Sequence, residues 1–198
     1  MSYISHNKNA NKGTIHDYSL LVNVLQQVIL ENDIKIIVEI GCAAGQLTFP
    51  LAEVLYNKNN DSILYAYDWW DNSNDGFHIF SQKDFEQNLL SQPAELQNII
   101  KFKRLNYFDW LKSPDPYNWD MLYLDVNNDG DKIKQLYELY RDDIDNKRRF
   151  VFFEGGSDGR FQKEIYKNKT KFSEIHIPFT IINNNGKELS LLGNYFKI

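Results

Sequence analysis

The stretch that decides the fold is Ile34-Lys35-Ile36-Ile37-Val38-Glu39-Ile40-Gly41-Cys42-Ala43-Ala44-Gly45. Its first part, residues 34–40, is rich in β-branched side chains and predicts a buried strand. The run stops at the small residues 41–45, and a helical pattern over 46–56 follows directly. A buried strand, a glycine-containing loop and a helix in succession are typical of the first unit of an α/β domain.

The same alternation of strand and helix continues along the chain. Apolar runs predict further strands over 63–67, 99–105, 121–124 and 150–153, and helical spacing predicts helices over 15–31, 82–90 and 132–144. Alternating strands and helices indicate a parallel sheet with helices on both faces. The expected fold class is therefore a doubly wound, Rossmann-like α/β fold.

The C-terminal part breaks this rhythm. Residues 175–182 and 189–198 predict two long strands, and the polar segment between them ends in Gly186, as is typical of an antiparallel hairpin. We therefore expect a seven-stranded sheet that is mostly parallel and closes with this hairpin. Because the sequence shows no internal repeat and no linker, we expect one domain over 1–198, with a flexible tail over 1–13 and an N-terminal capping helix over 14–31.

The composition excludes several classes of protein. The chain has 198 residues, of which 42% are hydrophobic and 15% aromatic, and this content favours a folded domain over a disordered chain. Its single cysteine, Cys42, cannot form an internal disulfide or a cysteine-based zinc site. The net charge of −5 argues against a nucleic-acid partner, and no apolar run reaches the roughly 18 residues that cross a membrane. We therefore expect a cytoplasmic protein with a small-molecule partner, no nucleic-acid or membrane partner, and homodimerisation left open.

The glycine loop over 41–45 suits the close approach of a ligand, because glycines and small side chains expose backbone N–H groups. It is not the dinucleotide pattern, since Ala43 and Gln46 occupy the second and third glycine positions. Glu39 closes the apolar strand, and a carboxylate there needs solvent, a partner or a cationic ligand. Gly41 and Gly45 would equally suit a simple helix-entry turn.

The second predicted strand ends in Asp68, which is followed by Trp69 and Trp70. An acid about 20 to 30 residues after a glycine loop is placed to accept hydrogen bonds from a ribose diol. Trp69 can offer a flat face to a purine. The alternative is that Asp68 is an ordinary loop acid.

The pattern Glu39-x-Gly41-x-x-x-Gly45 together with Asp68 resembles the cofactor site of the class I S-adenosylmethionine-dependent methyltransferases. The resemblance covers the chain from Ile34 onward, and Ala43 departs from it where many members have a middle glycine. It implies that Glu39, Gly41, Cys42, Ala43 and Gly45 line the methionine part of S-adenosyl-L-methionine, with Cys42 as a small residue rather than a nucleophile. It also implies that Asp68 and Trp69 contact the ribose and base, and that Asn106 and Tyr107 lie near the adenine.

Two further acids, Asp125 and Glu154, follow the fourth and fifth predicted strands. Neighbouring strands lie about 4.8 Å apart, so these carboxylates can face one cleft, where they can bind a divalent cation or divide acid and base roles. The segment from Leu124 is similar to metal-assisted small-molecule O-methyltransferases of the macrocin and cephalosporin-cluster type, which implies Asp125 and Glu154 as catalytic residues and Mg²⁺ ligands. Asn128 and Gly155 depart from that pattern, so Mg²⁺ stays one alternative, and solvated strand-end acids are the other.

The remaining catalytic candidate is a histidine. His78 lies in an aromatic and polar insert after Asp68, which makes it a candidate base on the acceptor side, although a surface histidine fits equally. His176 alternates with Ile175 and Ile177 in a predicted strand and is expected to be structural. Trp69 and Trp70 either line an acceptor pocket or cover the sheet edge.

These features lead to one expected function and an alternative. The resemblance implies a methyltransferase that uses S-adenosyl-L-methionine and O-methylates a sugar or secondary-metabolite hydroxyl. The alternative is a catalytically silent protein of the same fold that binds a protein partner through its aromatic surface. An aminopropyl transferase would use the same fold, but the sequence shows no acidic gate for a polyamine.

Overall fold

The computed structural model describes residues 19–59, 61–70, 80–112, 118–126, 129–157, 168–184 and 187–194. Within these residues the elements alternate as the sequence predicts, and they are α1 (Ser19–Glu31), β1 (Ile36–Ile40), α2 (Thr48–Lys58), β2 (Ile63–Asp68), α3 (Gln82–Leu90), α4 (Ala94–Ile99), β3 (Ile100–Arg104), α5 (Tyr107–Lys112), β4 (Met121–Leu124), α6 (Gly130–Asp145), β5 (Phe150–Glu154), β6 (Phe179–Asn184) and β7 (Lys187–Leu192).

The strands form one seven-stranded sheet with the order β3-β2-β1-β4-β5-β7-β6. Strands β1 to β5 are parallel, and β7 pairs antiparallel with both β5 and β6. The predicted C-terminal hairpin is thereby confirmed, with β7 rather than β6 against the parallel strands. Strands β1 to β3 follow one another toward one edge of the sheet, and β4 and β5 lie on the other side of β1, so the strand order switches between β1 and β4. In open α/β sheets, ligands bind at the carboxyl ends of the strands beside such a switch point.

Helices cover both faces of the sheet, as predicted, because the central strands are apolar on both sides. In β4, Met121 and Tyr123 pack on one face with α1, α2 and α3, whereas Leu122 and Leu124 pack on the other face with α5 and α6. Strand β5 alternates in the same way. Burial of alternate residues against two helical layers fixes the register of each strand, because a slip of one residue would exchange the two faces.

The structure differs from the sequence-based expectation in two helices and at the start of one strand. The helices α4 and α5 were not predicted, because each has 6 residues and so spans less than two turns. The strand predicted from Ile175 begins only at Phe179: His176 has a φ of +50°, outside the extended region, and Pro178 has no N–H to donate. His176 is therefore an exposed residue outside the sheet.

Several predictions fall on residues that the structure does not describe. The tail over 1–13 and the first part of the helix predicted over 14–31 lie outside the described residues, as do His78 and Asn128. Among the described helices, none is long and apolar enough to cross a membrane.

Candidate functional site

The loop over 41–45 connects β1 to α2 at the switch point, and its glycines are required by its geometry. Gly41 has a φ of +94°, and a Cβ there would lie 2.0 Å from the carbonyl oxygen of Asp125 on the neighbouring strand end. The N–H of Gly41 donates to the carbonyl of Tyr67 at 2.7 Å. The loop therefore lies directly against the carboxyl ends of β2 and β4, where only glycine leaves room for the backbone.

Glu39 is buried under this loop, with 1% of its surface exposed. The hydroxyl of Thr48, the first residue of α2, donates to its carboxyl oxygen Oε2 at 2.6 Å. Burial raises the pKa of Glu39 from 4.5 to about 7, the Thr48 hydrogen bond lowers it, and the nearby Asp68 raises it. The carboxyl therefore changes its charge near neutral pH, and a cationic group beside it would favour the ionised form.

Asp68, which exposes 9% of its surface, ties two loops together at the end of β2. Its Oδ2 accepts the backbone N–H of Ala43 at 2.8 Å, and its Oδ1 accepts the backbone N–H of Trp70 at 2.9 Å. A carboxylate offers about four acceptor positions, so two hydrogen bonds leave capacity for a hydroxyl donor. Asp68 is thus placed both to organise the loop and to accept hydrogen bonds from a diol.

Side chains from two other segments also hold the loop. The indole Nε1 of Trp70 donates to the carbonyl of Ala43 at 2.8 Å, and the Nδ2 of Asn88, on α3, donates to the carbonyl of Ala44 at 3.0 Å. Within the loop, the N–H of Gly45 donates to the carbonyl of Cys42 at 2.8 Å. Hydrogen bonds from two other segments therefore support the loop in addition to its own.

The thiol of Cys42 is buried and unreactive in this setting. Burial, followed by the carboxyls of Glu39 and Asp68, raises its pKa well above the ordinary value. The thiolate is the nucleophilic form of cysteine. Cys42 therefore acts as a small side chain in the loop, in agreement with the expectation.

The two adjacent tryptophans after Asp68 have different environments. Trp69 exposes 40% of its surface, and the guanidinium of Arg104, the last residue of β3, lies 4.8 Å from its ring centroid. Trp70 exposes only 4% and packs against Phe85 and Phe102. Trp69 is thus accessible to a base or an acceptor, whereas Trp70 is not, and the suggestion that Trp70 lines an acceptor pocket was wrong.

Asn106 and Tyr107 follow β3 and begin α5. The Oδ1 of Asn106 accepts the backbone N–H of Phe108 at 2.8 Å and so caps the helix. Tyr107 is buried in the core between the sheet, α5 and α6, and its hydroxyl has no hydrogen-bond partner among the described residues. Burial, with a smaller effect of Asp129, raises the pKa of this phenol. Both residues lie at the expected end of β3, and their contact with adenine stays a prediction.

Asp125 and Glu154 lie one residue beyond Leu124 and Phe153, which are register partners on β4 and β5. Both acids are half-buried, so the predicted adjacency of the two strand ends is present. However, the described part of the chain contains no group of three or more His, Cys, Asp or Glu residues that could hold a metal ion. The described residues therefore give no support for the Mg²⁺ alternative.

The charge of the site is negative and lacks a protein counter-ion. The carboxyl of Asp68 lies close enough to raise the pKa of Glu39, and both carboxyls raise the pKa of the Cys42 thiol. Within the described ranges, neither carboxyl forms an ion pair with a lysine or arginine. Two buried carboxyls without a protein cation favour a cationic ligand.

Sequence reasoning missed three residues of this site. Thr48 could have been suspected, because a polar residue begins α2 nine positions after a buried acid. Trp70 was considered only for an acceptor pocket or the sheet edge. Asn88 carries no signal in the sequence, because its partner lies 44 positions away.

Solved structures with the same fold exist, although no family model and no curated protein matches the sequence. An O-methyltransferase from Klebsiella pneumoniae, described as putative, has a TM-score of 0.59 at 13% identity over 91% of this chain and 83% of that one. An O-methyltransferase from Bacillus cereus in complex with S-adenosylhomocysteine has a TM-score of 0.58 at 14% identity, over 92% of this chain and 84% of that one. The O-methyltransferase TomG from Streptomyces achromogenes, in complex with S-adenosylmethionine, has a TM-score of 0.56 at 15% identity, over 88% of this chain and 80% of that one.

These likenesses extend over most of each chain. At identities of 13 to 15% they establish the fold rather than the reaction. The chain therefore has the fold of the class I S-adenosylmethionine-dependent methyltransferases, as the resemblance in its sequence predicted.

Proposed function

We propose that the chain is an S-adenosylmethionine-dependent methyltransferase that O-methylates a small molecule, with a sugar or secondary-metabolite hydroxyl as the acceptor. The observation that carries the proposal is the pair of buried carboxyls, Glu39 and Asp68, at the carboxyl edge of the sheet, with no counter-ion among the residues that the structure describes. A ligand with a sulfonium, an amino group and a ribose diol meets the needs of this pair. The O-methyltransferase structures with the same fold support the reaction class.

The described residues divide the work as follows. When bound, S-adenosylmethionine supplies a methyl group on sulfur: the acceptor oxygen bonds to this carbon, the carbon–sulfur bond breaks, and sulfur keeps the electron pair. Ionised Glu39 compensates the positive charge of the ligand from beneath the loop, and the remaining acceptor positions of Asp68 bind the ribose hydroxyls. Asp125 and Glu154 lie at the neighbouring strand ends and are the described candidates to take the proton of the acceptor hydroxyl. His78 stays a candidate outside the described residues.

We do not include Mg²⁺ in the proposal. Among the described residues, no third His, Cys, Asp or Glu joins Asp125 and Glu154 to form a metal-binding group. The catalytically silent alternative needs an exposed aromatic surface, and of the two adjacent tryptophans only Trp69 is exposed.

The test is the substitution Asp68→Asn, with binding of S-adenosylhomocysteine measured by isothermal titration calorimetry. In this variant, the NH₂ group of the new amide would face one of the two backbone N–H groups that the carboxylate now accepts. The amide has only one acceptor oxygen, so its hydrogen bonds to the ribose hydroxyls would be weaker. Hydrogen bonds to a charged group contribute roughly 1.5–3 kcal/mol, so the Kd is expected to rise by about 10- to 100-fold.

Asp120→Asn is the matched control. Asp120 also accepts two backbone N–H groups, those of Lys35 and Ile36, both at 2.8 Å, but at the amino end of β1. The substitution Asp120→Asn should lower the free energy of unfolding without changing the Kd for S-adenosylhomocysteine. Equal effects of the two substitutions on the Kd would contradict the assignment of Asp68 to the ribose.

A further inference from the structure

Trp70 is placed unlike an ordinary core tryptophan. It is buried and packs against Phe85, with ring centroids 5.5 Å apart, and against Phe102 at 6.3 Å. Its two nitrogen atoms, however, both reach the site: the indole Nε1 donates to the carbonyl of Ala43 at 2.8 Å, and the backbone N donates to the Oδ1 of Asp68 at 2.9 Å. One residue thereby contacts both the glycine loop and the acid that faces the ligand.

These contacts close a ring of three hydrogen bonds. Asp68 accepts from the backbone N–H of Ala43 through Oδ2 and from that of Trp70 through Oδ1, and the Trp70 indole returns to the carbonyl of Ala43. The direction of the Asp68 carboxylate and the position of the loop are therefore fixed together. A movement of either would break at least one hydrogen bond whose partner is largely shielded from water.

The backbone at two corners of this ring is strained. Trp70 has a φ of +42° and Ala43 a φ of +48°, in the left-handed region that costs a residue with a Cβ roughly 1–2 kcal/mol. Such conformations persist where the surroundings over-determine them, and they concentrate at functional sites. A core tryptophan needs neither this conformation nor an acceptor in a ligand loop.

We propose that Trp70 is a positioning residue of the cofactor site, whose indole N–H and backbone N–H hold the glycine loop and the Asp68 carboxylate in the conformation that receives the ligand. The proposal rests on the proposed function, because the ligand is taken to be S-adenosylmethionine. It acts through Ala43 and Asp68, and no contact between Trp70 and the ligand is implied.

The test compares Trp70→Phe with Trp119→Phe. Trp119 is also buried, at 1% exposed, but it lies on the opposite face of the sheet, and its indole nitrogen has no hydrogen-bond partner among the described residues. Both substitutions remove part of a buried indole, and only the first removes a hydrogen bond to the loop. A third variant carries β-(3-benzothienyl)alanine at position 70, which keeps the shape of the indole and lacks its N–H.

Two quantities are measured for each variant: the Kd for S-adenosylhomocysteine, and amide hydrogen exchange of the peptide that contains residues 42–46. We expect Trp70→Phe and the benzothienyl variant to raise the Kd about tenfold and to speed the exchange of this peptide, and Trp119→Phe to change neither. The benzothienyl variant keeps the result interpretable if Trp70→Phe fails to fold.

The outcomes separate this proposal from the proposed function. If the Trp70 variants match Trp119→Phe in both quantities, or change the exchange without changing the Kd, Trp70 is not a positioning residue. If the wild-type chain does not bind S-adenosylhomocysteine, the proposed function fails, and the exchange comparison alone decides whether Trp70 holds the loop.

Discussion

The buried carboxyl of Glu39 makes the stability of the protein depend on pH in a direction opposite to that of most carboxylates. Its pKa is about 7 in the folded chain and 4.5 in an exposed chain. Between these values the folded state binds more protons than the unfolded state, so the free energy of unfolding falls as pH rises through this window. At 1.36 kcal/mol per pH unit, the full loss above pH 7 is about 3 kcal/mol, and most of it falls between pH 5 and pH 8.

The substitution Glu39→Gln removes this titration while keeping an oxygen that accepts from Thr48. The stability of the variant relative to wild type should therefore rise by about 2–3 kcal/mol from pH 5 to pH 8. The assay is urea denaturation at several pH values, and the comparison of slopes cancels any constant cost of burying the amide. Parallel stability curves for the two proteins would refute the reasoning.

Thr48→Val supplies the opposite perturbation. It removes the hydroxyl that donates to Glu39 at 2.6 Å, and this hydrogen bond favours the ionised carboxylate. The pKa of Glu39 should rise further, and stability should fall more steeply toward high pH than in wild type. The double variant Glu39→Gln/Thr48→Val should lose this extra dependence, since no carboxyl remains to titrate.

Two further predictions concern the loop. Gly41→Ala should lower the free energy of unfolding by about 3 kcal/mol or more, because its Cβ would overlap the backbone of Asp125 at a φ of +94°. Gly45→Ala should cost less, since its Cβ would meet the ring of Phe49, a side chain that can move; chemical denaturation of both variants gives the order, and a reversed order counts against the loop geometry. The thiol of Cys42 should react with iodoacetamide only on the timescale of unfolding, so rapid labelling of the native protein, followed by mass spectrometry, would contradict its burial.

The central strands could be predicted from the sequence because they are buried on both faces. Such strands appear as continuous β-branched and aromatic runs, and β4, Met121–Leu124, agrees at both ends with its prediction. The helix α3 was likewise predicted with its bounds, Gln82–Leu90, and in the structure Ser81 and Asp84 form a capping box at its start. The order of the strands does not follow from periodicity and was not predicted.

What the sequence could not provide depends on contacts between distant segments. The strand predicted from Ile175 begins only at Phe179 because His176 has a left-handed conformation, and hydrophobic alternation carries no information on that conformation. In the site, the residue types at Glu39, Gly41 and Asp68 could be recognised from their spacing. The use of Asp68 and Trp70 to hold Ala43 could not, because a side chain's hydrogen-bond partner is set by how the loops pack.

Whether the loop and its two carboxyls bind the expected ligand can be measured in one titration. Isothermal titration of the wild-type chain with S-adenosylhomocysteine at neutral pH should show binding to one site per chain, with a Kd of roughly 1–100 μM, in the ordinary range for small-molecule ligands. Absence of binding at millimolar ligand would contradict the assignment of this site to S-adenosylmethionine.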